Sequence, residues 1–209
     1  MAVDEPLDTN GQGRVAGSIT GVIVRLLRQV AGDEGVTRAL ELAGVDRGAE
    51  ELEDVATWSP YHDMVALFEA GIEVSRDPDF PRRCGEEMLN QYEGSEVTAL
   101  LRSLGSPGEV LRNIALSASK FTTTHAMAAL EVGDEYAIVA AWPVGGLRRR
   151  PPTACAYTVG LLSQASKLFG MAPADVTEIE CQNRGGTRCI YEVRWDHSRQ
   201  PCLGRRLLV

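Results

Sequence analysis

Close to residue 120 the hydrophobic period of this chain first turns from helical to alternating, and that change limits the folds open to it. Before it, apolar residues recur at helical spacing. "SITGVIVRLLRQVA" places Ile19, Ile23, Leu26, Leu27 and Val30 on a helix entered at Ser18, and "DEGVTRALELAG" continues as a second helix that stops at Gly44. In "TWSPYHDMVALFEAGIEVS" Ser59 is the expected cap and Pro60 the first helical position. "SEVTALLRSLG" and "SPGEVLRNIALSASKF" open in the same way. After residue 120 the period is two. "MAALEVGDEYAIVAAWPV" reads as two strands joined at Gly133-Asp134, and "ADVTEIECQ" with "RCIYEVRW" as two more joined at Arg184-Gly185-Gly186-Thr187. Between the hairpins "CAYTVGLLSQASKLFG" is an amphipathic helix ending at Gly170. The order predicts an α+β fold: N-terminal helices followed by an antiparallel sheet of two hairpins with an intervening helix.

A chain of 209 residues fills one core, and residues 17–196 read as a single domain. Residues 1–16 read as a flexible N-terminus and 197–209 as a linker or the start of a connecting helix. "ITGVIVRLLRQV" carries apolar residues on more than one flank, which predicts a homodimer formed through the N-terminal helices. The formal charge of −8 excludes an ordinary nucleic-acid surface, which needs a basic footprint. Arg148 to Arg150, followed by two prolines, read as an exposed loop whose cations stay solvated. No apolar run reaches membrane-spanning length and the N-terminus has no secretory pattern, so a cytoplasmic protein is expected. His62, His125 and His197 are scattered, no nucleophile-elbow or phosphate-loop pattern occurs, and no enzyme is expected.

Cys181 and Cys189 flank the double glycine, so pairing their strands brings two thiols together. Glu178 stands shortly before them and Cys155 opens the preceding helix. Three sulfurs and a carboxylate suit a tetrahedral Zn²⁺ in a closed structural site. Glu180 competes with Glu178, because alternate residues of a regular strand share a face. Two other readings stay open: the cysteines as small buried apolar residues, or a cross-strand disulfide, which a reducing compartment disfavours.

"CAYTVGLLSQASKLFG…EIECQNRGGTRCIYEV" resembles the C-terminal half of the vinyl-4-reductase-type sensory domain, of the superfamily shared by haem nitric-oxide sensors and Golgi-trafficking subunits. The resemblance is specific over the last third of the chain and topological before it. It implies a zinc site at Cys155, Glu178, Cys181 and Cys189. It also implies a small organic or lipid-like ligand between helices and sheet, near Phe121, His125, Tyr136, Trp142 and Tyr157, with Phe68 and Trp58 as contributors. Haem is not expected: "VLRNIALSASKF" has Ala and Ser where the haem sensors present a histidine, and "AAWPVGGLRRR" lacks their Tyr-Ser-Arg propionate clamp. The implied function is a non-catalytic sensory domain controlling an attached or partner signalling or transcriptional module. The alternative is a protein–protein interaction module like the trafficking relatives, without a physiological small ligand.

Overall fold

The computed structural model describes residues 13–147 and 149–196. The expectations for residues 1–12, Arg148, His197 and the 197–209 linker lie outside them. Residues 14–16, assigned above to a flexible N-terminus, instead form β1 (Arg14–Ala16), antiparallel to β2 (Trp58–Pro60). Ser59 is thereby claimed by a strand, and its hydroxyl accepts from Arg47 rather than capping the next helix.

Helix α1 (Gly17–Ala43) is two arms meeting at Gly32, whose φ of 68° and ψ of −174° no helix accommodates. It closes on Gly44 in the left-handed region, where a residue without Cβ is favoured. Its first arm is buried almost without interruption from Gly17 to Leu27. Helices α2 (Ala49–Glu53), α3 (Tyr61–Ser75) and α4 (Phe80–Glu87) pack around it. The apolar flanks that suggested a dimer are thus covered by the same chain, and that argument for a partner falls away.

Short helices α5 (Glu96–Ser103), α6 (Pro107–Arg112) and α7 (Ile114–Ala118) lead into the sheet. The α6 start follows its sequence signature, with Pro107 in the first turn and the Ser106 hydroxyl accepting from the Glu109 N–H. Ser106→Ala leaves that N–H unpaired and is expected to cost about 1 kcal/mol. For a domain of this size that is a melting temperature roughly 2–4 °C lower, measurable by calorimetry.

Strands β3 (His125–Val132), β4 (Tyr136–Pro143), β5 (Asp175–Glu180) and β6 (Cys189–Arg194) form one antiparallel sheet in the order β3-β4-β6-β5. The two hairpins join through β4 and β6. Helix α8 (Pro152–Ser163) lies between two cores, which is why it is apolar on several flanks. Its Tyr157 packs in the helical core, 5.5 Å from the Phe68 ring, while Cys155 and Leu162 belong to the core against the sheet. Helices α4 and α8 cross on glycines. A Cβ on Gly160 would sit 2.0 Å from the Arg82 carbonyl oxygen, and one on Gly85 2.1 Å from that of Tyr157.

Candidate metal centre and ligand groove

Four side chains converge where α8, β5 and β6 meet. Donor atoms of Cys155, Glu178, Cys181 and Cys189 all lie within 4.8 Å of one another. Cys155 stands in the first turns of α8, Glu178 on β5, Cys181 one residue past β5 and Cys189 at the start of β6. The two strands reach the cluster through a connection with a short helical turn at Gln182–Arg184 and a left-handed Gly185 (φ 91°). Cys181 is therefore a loop residue, and the partner of Cys189 across the sheet is Ala141 on β4. The Cys155 and Cys189 sulfurs are 3.5 Å apart, and all three thiols are buried and free.

A bulge separates the two candidate carboxylates, since β5 passes from Glu178 to Glu180 while β6 advances one residue from Tyr191 to Ile190. Glu180 turns to the hairpin connection and accepts from the Thr187 and Arg188 N–H groups, which hold its carboxyl below the usual range. Glu178 joins the sulfurs. One of its oxygens pairs with Arg184 at 3.0 Å, and Oε1 is buried with no hydrogen-bond partner.

The sulfur pair has an unusual proton balance. The two sulfurs share one hydrogen bond in which either can be the donor; that bond, first, pushes Cys155 up, with burial adding to it, and pulls Cys189 down. An orphaned carboxylate oxygen beside three buried thiols is a donor set that a cation satisfies and a hydrocarbon core does not.

Arg150 underlies the cluster and was not legible in the sequence. It is fully buried, not the solvated loop cation expected of Arg148 to Arg150; Arg149 is exposed. Its guanidinium donates to Tyr191 Oη at 3.0 Å, to Thr158 Oγ1 at 2.6 Å and to the Ala154 carbonyl at 3.2 Å, while its Nε has no partner. Among the described residues no carboxylate pairs with it; its charge instead acts on Tyr61, Tyr191, Cys155 and Cys189. Asn183 links it to the sulfurs. Its amide nitrogen donates to the Arg150 carbonyl at 3.0 Å and lies 3.8 Å from both Cys155 Sγ and Cys181 Sγ.

Arg150 and Asn183 also line a groove of about 630 Å³. Its other walls are one face of α3, with Tyr61, His62, Val65, Ala66 and Glu69, and the approach to α8, with Leu147, Arg149, Pro151 and Pro152. The walls are mostly apolar, and the groove lies wide open to solvent.

The five residues expected to surround a ligand lie elsewhere. Tyr136 and Trp142 stand six residues apart on β4, roughly 20 Å along a strand. Phe121 packs edge-on to Tyr92, with ring centroids 6.3 Å apart, and Tyr157 is buried on Phe68. His125 opens β3 with Nδ1 3.2 Å from Thr124 Oγ1. None of the five lines the groove.

Burial, helped by the nearby Arg150 charge, pushes the His125 imidazole down to about 3. The unfolded imidazole takes its proton near pH 6.5, so the unfolded state binds more protons below that value. Stability is therefore expected to fall as pH drops from about 6.5 towards 3, by up to about 1.4 kcal/mol per unit, with no His125 contribution above 6.5. Melting curves of wild type and His125→Gln between pH 7 and 4 check this, the variant losing that part of the slope.

No family model matches the chain, and no curated protein matches it in sequence. Solved structures share its fold. The H-NOX protein from S. oneidensis in the Fe(II)NO ligation state superposes with a TM-score of 0.67 at 14% identity, covering 87% of this chain and 99% of that one. The Fe(II) unliganded H-NOX protein from K. algicida gives 0.61 at 13% identity, covering 87% and 96%. A structure from a study of haem distortion in the H-NOX family gives 0.61 at 16%, covering 87% and 95%. At these identities the likeness is one of fold, and it extends the topological part of the sequence resemblance over most of the chain. The vinyl-4-reductase naming stays a resemblance.

These neighbours correct one expectation. Haem was set aside because α6 and α7 carry no histidine, yet structures with this architecture are haem proteins by their own description. The architecture gives no ground for setting the group aside. In this chain the groove offers such a ring apolar walls, the exposed guanidinium of Arg149 and the imidazole of His62, whose Nε2 pairs with Asp63 at 3.0 Å.

Proposed function

We propose that this chain is a non-catalytic sensory domain. A small apolar, aromatic or lipid-like molecule occupies the groove beside α3, and a divalent metal ion held by Cys155, Glu178, Cys181 and Cys189 fastens the hairpin of β5 and β6 to α8. The observation that carries this reading is the shared wall. Arg150 and Asn183 line the groove and also reach the cysteine cluster, so an occupant presses on the residues that position the metal donors. A ligand shifts an equilibrium only through interactions that differ between two states, and this wall offers such interactions. An attached or partner signalling module, transcriptional or otherwise, would read the shift, in a cytoplasm where the thiols stay reduced.

Zn²⁺ is the ion such a set suits, and with four protein donors no position is left for a catalytic water. Three thiolates and a carboxylate outweigh the charge of a divalent ion. Buried Arg150, with no carboxylate partner among the described residues, offsets part of that excess. Were the groove's occupant haem, His62 and Arg149 would hold it, and it would supply a gas-binding iron.

Thermal melts against phenols, phenyl-substituted acids, medium-chain fatty acids and hemin test the reading. A ligand at 100 times its Kd stabilises the fold by about 2.7 kcal/mol, roughly 5–10 °C for a chain of this size. At least one class is expected to give a shift of that order. A panel in which nothing moves the midpoint at millimolar concentration counts against a ligand-sensing role.

A further inference from the structure

Each sulfur of the cysteine cluster meets an N–H group, and these donors come from two consecutive residues of the connection between β5 and β6. The Gln182 backbone N–H donates to Cys189, and the Asn183 backbone N–H donates to Cys181. Cys155 stands on α8, outside that connection. The donor it meets is the Asn183 side chain, whose Nδ2 lies 3.8 Å from Cys155 Sγ and 3.8 Å from Cys181 Sγ. The orientation of this amide is fixed independently of the sulfurs. The same nitrogen is 3.0 Å from the Arg150 carbonyl oxygen, and an amide oxygen in its place would face an acceptor with no proton between them. The backbone around Asn183 is held as well, since the Arg184 and Gly186 N–H groups both donate to the Cys181 carbonyl at 2.9 Å.

Resting on the reading of Cys155, Glu178, Cys181 and Cys189 as metal donors, we infer that Asn183 is a positioning residue of that centre: its carboxamide donates one N–H to the Arg150 carbonyl and shares the other between the Cys155 and Cys181 sulfurs. Three thiolates and a carboxylate around a divalent cation leave an excess of negative charge in a buried place, where it is costly. N–H donors on the ligating sulfurs draw off part of that excess, and groups bonded to metal ligands in this way also orient them. Arg150 acts on the sulfurs by charge alone, because its guanidinium hydrogen bonds go to Tyr191, Thr158 and the Ala154 carbonyl. Asn183 adds the directional contact. It ties a sulfur on α8 to one just past β5, so two donors from separate elements are held together before a cation arrives.

The test loads the full chain with Zn²⁺, followed by competition with a chelator, and separately with Co²⁺, followed by its sulfur-to-metal charge-transfer absorption. Asn183→Leu keeps the side-chain size and deletes both N–H donors. Its Zn²⁺ affinity is expected to fall roughly 10–100-fold, the usual effect of removing a group bonded to metal ligands. The Co²⁺ charge-transfer band should move to lower energy, because sulfurs that have lost a hydrogen bond give up electron density more easily. The metal-free variant loses only the bond to the Arg150 carbonyl and should melt within about 4 °C of the metal-free wild type. Asn183→Ala introduces no bulk and should give the same affinity loss and band shift, so the test stands if the leucine is not accommodated. Variants that bind Zn²⁺ as tightly as wild type overturn the role of Asn183 and leave the metal reading standing. A loss of affinity with an unmoved Co²⁺ band makes Asn183 merely structural and overturns the role as well. Failure of the wild-type chain to take up either ion removes the metal reading and this inference with it.

Discussion

Cys181→Ser is expected to release the bound ion and to lower the melting temperature by about 10 °C. A serine hydroxyl is not ionised at neutral pH and cannot replace a thiolate as the fourth donor. Its loss leaves Cys155 and Cys189 at 3.5 Å, and the buried Glu178 oxygen, without the charge that reconciles them. Removing one partner from a buried charged set costs about 3–5 kcal/mol. At roughly 2–4 °C per kcal/mol for a chain of this length, the fall follows. An ion held by these four donors would join residues far apart in sequence, so its binding energy would be folding energy and a chelator should reproduce most of the effect on the wild type. Glu180→Gln is the matched control. It perturbs only the hydrogen bonds Glu180 accepts from the Thr187 N–H and hydroxyl and the Arg188 N–H, and it should keep the metal. Calorimetry with and without chelator reads both. A Cys181→Ser midpoint within about 2 °C of wild type, with no response to chelator, would mean that the thiols are ordinary core residues.

Gly160→Ala is expected to be comparably damaging through packing alone. The added methyl would lie 2.0 Å from the Arg82 carbonyl oxygen, and Gly85→Ala would meet the Tyr157 carbonyl at 2.1 Å. Backbone atoms of a packed helix cannot rotate away as a side-chain tip does, so α4 and α8 must separate. Overpacking of this kind costs about 1–3 kcal/mol and more where backbone is the obstacle. Because α8 carries Cys155 and touches both cores, the separation should also weaken metal retention. Denaturant midpoints with metal content check this. A Gly160→Ala chain as stable as wild type would show that the crossing is looser than described.

The parts of the fold that were legible in the sequence are those fixed by local chemistry. Gly133-Asp134 and Gly185-Gly186 mark both hairpins, Gly44 and Gly170 take left-handed conformations, and Ser95 and Ser106 cap α5 and α6. Ser59 misled because two three-residue strands leave no periodicity, and pairing with β1 decides its role. The apolar excess of α1 could not reveal whether its cover came from another copy or from α2, α3 and α4.

The donor cluster was half legible. Its three cysteines follow from spacing and a family resemblance, but a choice between Glu178 and Glu180 needs the bulge, which depends on how β5 meets β6. Arg150 was hidden because three consecutive arginines before two prolines look like a solvated loop. Nothing in the local pattern says that one of them turns inward beneath α8. The groove was missed for a related reason: its walls come from α3 and the approach to α8, whereas the aromatics that drew attention fill cores or lie on the sheet.

Native mass spectrometry of the chain purified without chelator tests the central claim, that four side chains converge on an ion, most directly. The expected spectrum shows the folded charge states heavier than the polypeptide by one divalent metal ion, with that increment absent from Cys181→Ser. Folded charge states at the bare polypeptide mass, with every thiol still reduced, would contradict it.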